Sequence, residues 1–323
     1  KDGEILTQKL AGNHWMPIYD GSEIQPKNGY DIVTTINVNL QDIAESALLK
    51  GLELNDADYG SVILMEVNTG EIKAISNFSK NKSGYYTENY NYAIQGMHEP
   101  GSTFKLASML AYIEQTNRSV DDSVDTGDGE FRFYSETMKD HKPGGYGKIT
   151  IKEIFEKSSN IGVAMLIEET FKQKPQNFLS YLKKFGFSDD FDFQIFGSSK
   201  PQIKNYSDST WSKVSLPWIA HGYELMLTPL HTLSFYNAIA NGGYYIKPKI
   251  VSKIKNANTI IKEFKTASPE KIATKNSIST MKLLLEGVVE NGTADNIKHS
   301  NYKIAGKTGT AKKVEEGRYI NRY

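Results

Sequence analysis

Ser102 and Lys105 are a pair of residues whose types and spacing could do nucleophilic chemistry. Residues three apart on a helix share a face, with Cβ atoms about 5 to 6 Å apart, so the amine can reach the hydroxyl. A neutral amine placed there can accept the proton of the serine. The spacing alone carries little weight, because other serine and lysine pairs share it: Ser79/Lys82, Ser252/Lys255, Ser268/Lys271, Ser279/Lys282 and Ser300/Lys303.

The residues around Ser102 distinguish it from these other serines. It follows Glu99-Pro100-Gly101 at the start of a predicted apolar helix that extends to Gln115. Proline suits the first turn of a helix, and glycine leaves room beside a nucleophile. Free N–H groups and the helix dipole at this end favour an oxyanion developing next to Ser102. The structural alternative is that Ser102 only caps a core helix and that Lys105 extends to solvent.

A second polar group, Ser158-Ser159-Asn160, falls between two predicted helices. A capping-box pattern at Thr150 begins the first helix, and the second runs from Ile161 to about Phe171. The hydroxyl and the amide are suited to relaying a proton and to holding a substrate carbonyl. An ordinary helix cap is the alternative interpretation.

A third group, Lys307-Thr308-Gly309-Thr310, lies in a segment from 301 to 313 that alternates as a strand would. Glycines in a strand allow another backbone to approach and pair, so an extended peptide would fit there. Lys307 could disfavour a second ammonium nearby, and the two threonine hydroxyls could bind a carboxylate.

The elements that must position these groups indicate an α+β fold with a largely antiparallel sheet. The first 30 residues are predicted to be an irregular entry segment, with a boundary near Asp31. A strand, a helix and a hairpin around Asn68-Thr69-Gly70 follow, and further helices are predicted at 227–241 and 277–290.

Composition excludes several classes of function. The 323 residues contain 38 basic and 38 acidic side chains, so no net field would attract nucleic acid. There is no cysteine, which excludes disulfides and a thiolate nucleophile. The six histidines show no metal-ligand spacing. No apolar run approaches the roughly 20 residues of a membrane helix.

Taken together and in this order, the three groups resemble the motifs of penicillin-binding proteins and serine β-lactamases. The resemblance extends to monofunctional, class B penicillin-binding proteins over roughly residues 15 to 323. Two further segments carry it: Asp31-Ile-Val-Thr-Thr-Ile with Leu40-Gln41, and Gly222-Tyr-Glu-Leu-Met-Leu-Thr-Pro229. The segment from Glu99 to Lys105 is most similar to the cell-division members.

The resemblance implies a role for each site residue. Ser102 would be the nucleophile, Lys105 the base for acylation and Ser158 the proton relay to the leaving amine. Asn160 would orient the substrate. Lys307, Thr308, Gly309 and Thr310 would form the substrate-binding segment, where the lysine and the two threonines hold a carboxylate. The backbone N–H groups of Ser102 and Thr310 would form the oxyanion hole.

The resemblance also implies a biological setting. The substrate would be peptidoglycan stem peptides ending in D-alanyl-D-alanine, cross-linked without a cofactor or metal in septal cell-wall synthesis, and β-lactams would bind covalently at Ser102. The full-length protein would act at the periplasmic face of the cytoplasmic membrane with division-machinery membrane proteins, and any anchor would precede Lys1.

For domain organisation we expect residues 1–35 to be a linker or a remnant of an N-terminal pedestal, and 36–323 to be the transpeptidase domain. The family fold is a five-stranded sheet between helical layers. Members continue past the third motif into further strands, so we expect the sheet of this chain to be incomplete after Tyr323, with lower thermal stability for that reason.

Other functions remain as alternatives at this point. A phosphate-binding loop is disfavoured because Asn301 stands where its first glycine should be, and no Gly-x-Ser-x-Gly occurs for an α/β-hydrolase. The Glu-x-x-Leu-Asn segment, which activates the deacylating water in class A serine β-lactamases, does not occur between Asn160 and Lys307. Its absence favours stable acylation over hydrolysis. A D,D-carboxypeptidase or a non-enzymatic β-lactam sensor or scaffold would keep the same motifs.

Overall fold

A computed structural model describes residues 4–19, 21, 23–25, 28–188, 191, 193–310, 313–315 and 318–320. The chain divides into two compact units. The first combines the residues up to Thr35 with Val251–Lys265, and the second contains Ile36–Ile250 and Thr266–Tyr323. All the predicted site residues belong to the second unit.

The α-helices are, in chain order, α1 (Val38–Leu54), α2 (Tyr92–Gln95), α3 (Lys105–Gln115), α4 (Ile151–Glu156), α5 (Asn160–Phe171), α6 (Pro175–Lys184), α7 (Ser215–Ala220), α8 (Pro229–Ala240) and α9 (Lys275–Glu290). Two 3₁₀ turns, Gly101–Phe104 and Asp295–Ile297, accompany them.

The strands are, in chain order, β1 (Thr7–Lys9), β2 (Trp15–Pro17), β3 (Asp31–Thr34), β4 (Tyr59–Met65), β5 (Ile72–Lys80), β6 (Tyr86–Thr87), β7 (Ser123–Asp125), β8 (Glu130–Phe133), β9 (Glu136–Lys139), β10 (Lys148–Thr150), β11 (Gln202–Ile203), β12 (Leu225–Met226), β13 (Tyr244–Tyr245), β14 (Val251–Asn256), β15 (Thr259–Glu263), β16 (Glu270–Lys271), β17 (Lys313–Glu315) and β18 (Arg318–Ile320).

The first unit is built from two small antiparallel sheets. In one sheet β14 lies between β15 and β3, and in the other β1 pairs with β2. The prediction of an irregular entry segment is therefore wrong for residues 7–17. Gly12 and Asn13 both have positive φ angles and reverse the chain, and this turn lets two short exposed strands pair without a hydrophobic alternation.

The second unit contains the predicted hairpin, β4 and β5, to which β6 adds a short third strand. Helix α1 covers this sheet with Ala44, Leu48 and Leu52, which are buried and recur every four residues, as one face of a helix requires. Every strand ladder among the described residues is antiparallel, which confirms the α+β prediction.

Helix α3 forms the centre of this unit, and it packs against α5, α6 and α9. Its residues from Lys105 to Tyr112 are all buried, as its apolar circumference predicts. The predicted capping box at Thr150 is also present, because its side chain accepts from the Glu153 N–H while Glu153 accepts from the Thr150 N–H. Helix α6 is not among the helices predicted from the sequence, although Pro175 at its first turn is a signal for the start of a helix.

The predicted strand from 301 to 313 is not formed over residues 301–310. A strand needs a neighbouring backbone to complete its ladder, and no described strand pairs with this segment. Its Gly306 N–H donates instead to the Leu285 carbonyl of α9, at 3.2 Å. Residues 311–312 lie outside the described part. The largest described sheet of this unit has the three strands β4, β5 and β6, and the expectation of an incomplete five-stranded sheet stays a prediction.

Within the described residues, no helix is both long enough and apolar enough to cross a membrane.

Candidate active site

Ser102 lies in the 3₁₀ turn Gly101–Phe104, which leads directly into α3. The Thr103 hydroxyl donates to the Pro100 carbonyl at 2.8 Å and closes this turn. The Tyr236 hydroxyl of α8 donates to the Thr103 carbonyl, also at 2.8 Å. The backbone on both sides of the half-buried Ser102 is therefore fixed by hydrogen bonds.

The segment before Ser102 is clamped to the chain around Gly222. The Gly101 N–H donates to the Gly222 carbonyl at 3.1 Å, and the Glu224 N–H donates to the Glu99 carboxylate at 3.0 Å. Gly222 has a φ of +95°, and a Cβ atom there would lie 2.0 Å from the Gly101 carbonyl oxygen. Only glycine allows the two backbones to come this close.

Lys105 is 0 % exposed, which is exceptional for a lysine. Its Nζ donates to the Ser158 carbonyl and to Asn160 Oδ1, each at 2.6 Å, and contacts Ser158 Oγ at 3.2 Å. Burial lowers the pKa of Lys105 well below its usual value; nearby Lys307 lowers it further, and Asp140 opposes both. The side chain is thus suited to being a neutral amine inside the fold.

The connection from α4 to α5 presents Ser158 and Asn160 to this amine. Ser158 has a φ of +57°, a left-handed conformation that costs a non-glycine residue about 1 to 2 kcal/mol. Ser159 is the N-cap of α5, and its hydroxyl accepts from the Gly162 N–H at 2.9 Å. The capping interpretation therefore applies to Ser159, while its two neighbours face Lys105.

Lys307 contacts the same Ser158 hydroxyl. Its Nζ donates to Ser158 Oγ at 2.8 Å and to the Thr308 carbonyl at 3.0 Å. Burial lowers the pKa of Lys307 to about 8. The Ser158 hydroxyl therefore lies between two lysine amines that are 202 positions apart in the numbering, Lys105 and Lys307.

The rest of the third group lies beside the Ser102 turn. A Cβ atom on Gly309 would lie 2.8 Å from Thr103 Cγ2, so this glycine allows close contact with the Thr103 side chain, and its pairing with an extended peptide stays a prediction. The Thr308 hydroxyl is 2.6 Å from the Thr293 hydroxyl, just beyond α9. Thr310 is exposed, and its hydroxyl makes no hydrogen bond to another described residue.

The structure thus brings Lys105, Ser158, Asn160 and Lys307 into one hydrogen-bonded group. Ser102, at the start of the Lys105 helix, makes no side-chain hydrogen bond to any described residue, an arrangement common in sites without substrate. A cavity of about 480 Å³ adjoins the turn, and its lining includes Pro100, Thr103, Lys307 and Gly309.

Sequence reasoning missed the residues that support this group. Asp140, Thr293 and Tyr236 carry no local pattern that separates them from other polar residues, since their partners are distant in the sequence. Gly222 did belong to a segment singled out for its resemblance, but its contact with Gly101 was not predicted. Among the described residues no cluster of three or more His, Asp or Glu side chains could hold a metal ion.

Comparison with protein families gives a match to the penicillin binding protein transpeptidase domain over residues 60–322. This range includes the three groups of predicted site residues and all of the hairpin β4–β5 except Tyr59.

Curated relatives match nearly the whole chain. Stage V sporulation protein D of Bacillus subtilis is 27% identical over 98% of this chain and 50% of its own length. Peptidoglycan D,D-transpeptidase FtsI of Escherichia coli is 27% identical over 99% of this chain and 52% of its own length. The chain therefore spans about half the length of these relatives.

Solved structures confirm the fold. Penicillin binding protein 3 of Mycobacterium tuberculosis superposes with a TM-score of 0.81 at 21% identity, covering 98% of this chain and 81% of that one. Its complex with ampicillin also gives a TM-score of 0.81, at 22% identity, with 99% of this chain and 80% of that one covered.

The contact between Gly222 and Gly101 gives a stability prediction. Gly222→Ala should lower the free energy of unfolding by about 2 kcal/mol or more, because the added Cβ collides with backbone and the residue keeps a positive φ. Gly51→Ala is the matched control, since it lies inside α1 with open space around it and should raise stability by about 0.5 to 1 kcal/mol. Urea unfolding of both variants measures the difference in their free energies of unfolding, and equal effects would contradict the close contact between Gly222 and Gly101.

Proposed function

Since the chain belongs to the penicillin-binding protein transpeptidase family, we propose that it is the catalytic part of a peptidoglycan D,D-transpeptidase that works through an acyl-enzyme at Ser102. One observation carries the proposal: the Ser158 hydroxyl lies between the amines of Lys105 and Lys307, next to the Ser102 turn. This arrangement can move a proton away from a serine nucleophile and on to a leaving amine.

The first step would use Lys105 as the base. A neutral lysine has two N–H groups and one lone pair; the short contacts to the Ser158 carbonyl and Asn160 Oδ1 use both N–H groups. The lone pair then faces the longer contact, Ser158 Oγ at 3.2 Å, and would exchange it for the Ser102 hydroxyl to accept the Ser102 proton. Burial supports this role, because it disfavours the charged form of Lys105.

The chemistry then follows from these positions. Ser102 Oγ would attack the carbonyl of the penultimate D-alanine, and the new ester would form as the amide bond to the terminal D-alanine breaks. Ser158 would pass the proton from Lys105 to the departing amine. An acceptor amine from a second stem peptide would then attack the ester, form the cross-link and return the proton to Ser102.

Substrate binding would fall to the third group. A charged Lys307 would attract the terminal carboxylate, with the hydroxyls of Thr308 and Thr310 as hydrogen-bond donors. The N–H groups of Ser102 and Thr310 would stabilise the oxyanion. Asn160 would orient the stem peptide through its side-chain amide.

The relatives support a setting in the cell envelope. The name of the Escherichia coli relative includes peptidoglycan D,D-transpeptidase, and the Mycobacterium structures include complexes with ampicillin and aztreonam. We propose septal cell-wall synthesis at the periplasmic face of the membrane, with membrane proteins of the division machinery as partners and β-lactams as covalent inhibitors at Ser102.

Penicillin should acylate Ser102 and remain attached, because the opened ring stays tethered and blocks the acceptor. Intact-protein mass spectrometry should show one persistent adduct, and Ser102→Ala should show none, since the chain has no cysteine to replace the serine. Lys307→Ala should slow capture, because truncating a charged contact at a buried site costs about 2 to 5 kcal/mol.

The outcomes separate this function from its alternatives. An adduct on Ser102→Ala would overturn the assignment of the nucleophile. Rapid drug turnover without an adduct would indicate a β-lactamase, and an adduct without turnover of any peptide or thioester substrate would indicate a sensor. Release of D-alanine to water alone would indicate a carboxypeptidase.

The rate constant for penicillin capture should be bell-shaped in pH. It should rise as Lys105 loses its proton, because only the neutral amine can act as a base. It should fall above about pH 8, where Lys307, with its pKa lowered to about 8 by burial, loses the charge that attracts the carboxylate. Stopped-flow measurements of fluorescent penicillin from pH 4.5 to 10 test this.

Lys307→Arg is the matched control for the alkaline limb. Its guanidinium stays charged throughout this range, so the fall above pH 8 should disappear even if the overall rate is lower. A wild-type rate constant that still rises at pH 10 would contradict the proposed role of Lys307.

A further inference from the structure

The carboxylate of Asp140 binds the start of α5 from outside the helix. Asp140 Oδ1 accepts from the Asn160 N–H at 2.6 Å and from the Ile161 N–H at 3.1 Å. Its Oδ2 accepts from the Ser159 hydroxyl at 2.8 Å. The two N–H groups are among those that a helix start leaves without an internal partner, and the dipole there favours a negative charge.

Lys139, the preceding residue, fixes the side chain of the same asparagine. Its carbonyl accepts from Asn160 Nδ2 at 2.9 Å, and this contact determines which way the amide points. The oxygen of the amide, Oδ1, consequently faces Lys105 at 2.6 Å. The end of β9 thus holds both the backbone and the amide of Asn160 in the orientation that contacts the lysine.

Asp140 also acts on Lys105 through its charge. Two charged groups influence this lysine, and they oppose each other: Lys307 lowers the pKa of Lys105, in addition to the larger effect of burial, and Asp140 raises it. His221, which lies close to Lys105, is uncharged near neutral pH because burial lowers its pKa to about 3. Asp140 is therefore the group that limits how far the lysine is shifted.

We propose that Asp140 is a positioning residue for acylation: its carboxylate fixes the start of α5, so that Ser158 and Asn160 hold the Lys105 amine, and its negative charge acts on that amine. It does not touch the reacting atoms. The inference rests on the proposed acylation of Ser102, and it predicts two separable effects, one on the maximal rate and one on the pH dependence.

Two substitutions separate the effects. Asp140→Asn keeps an oxygen for the Asn160 and Ile161 N–H groups and gives Ser159 a donor, but it removes the charge. Without that charge the pKa of Lys105 should fall, so the acid limb of penicillin capture should move to lower pH by about half a unit or more, with less than about a tenfold loss of maximal rate. Asp140→Ala removes the hydrogen bonds as well and should lower the maximal rate by about 10- to 100-fold.

Glu114→Gln is the matched control. Glu114 likewise holds a helix start from outside, since its carboxylate accepts from the Thr274 N–H at 2.9 Å, at the N-cap of α9. It lies nine residues along α3 from Lys105, about 13 Å, where salt screens its charge. Glu114→Gln should leave the position of the acid limb unchanged.

The experiment measures capture of fluorescent penicillin by the full chain against pH for wild type and the three variants, with near-ultraviolet circular dichroism to verify folding. An unmoved acid limb in Asp140→Asn, or an equal movement in Glu114→Gln, would overturn the role of the charge. A wild-type maximal rate in Asp140→Ala would overturn the positioning role. If Asp140→Ala does not fold, a tenfold or greater loss of maximal rate in folded Asp140→Asn would likewise count against the inference. Absence of any adduct on wild type would refute the acylation of Ser102 itself. This outcome distinguishes a failure of the proposed function from a failure of the inference about Asp140.

Discussion

The contact of the Ser158 hydroxyl with two lysine amines is the interaction on which the rest of the site depends. It joins α3, the connection between α4 and α5, and the segment after α9 at one oxygen atom. Two ammonium groups this close repel each other, so the arrangement favours a state in which one of them is neutral. The fold decides which one, because Lys105 is fully buried while Lys307 keeps a pKa of about 8.

A buried lysine is tolerated only where its polar atoms have partners. The backbone provides one, the Ser158 carbonyl, and it does so because Ser158 adopts a left-handed conformation. Strain of this kind persists where the surroundings hold the residue from several sides. Here the Ser158 N–H donates to Phe155 and the Ser159 N–H to Ile154, so the end of α4 fixes the turn before α5 begins.

Ser102, the proposed nucleophile, is held by a different set of contacts from Lys105, the proposed base. Close glycine packing at Gly222 and the hydroxyl of Tyr236 fix the backbone around Ser102, whereas Lys105 is held through side-chain and carbonyl oxygens. The backbone of the Ser102 turn is consequently held independently of the protonation state of the lysine. Such a division suits a reaction in which the lysine gains and loses a proton while the serine must keep its position.

The sequence alone determined the three polar groups, the cap at Thr150, the approximate bounds of α3, α5, α8 and α9, and the hairpin around Gly70, because these depend on residues close together in the chain. The family fold, predicted through the motifs, is confirmed by the comparisons. Only the tertiary structure decided that residues 301–310 form no strand, since a strand exists through its neighbour and no local pattern specifies one. It also decided which hydroxyl the two lysines share and that Asp140 holds α5, because contacts between distant segments arise from packing and leave no periodic trace in the sequence.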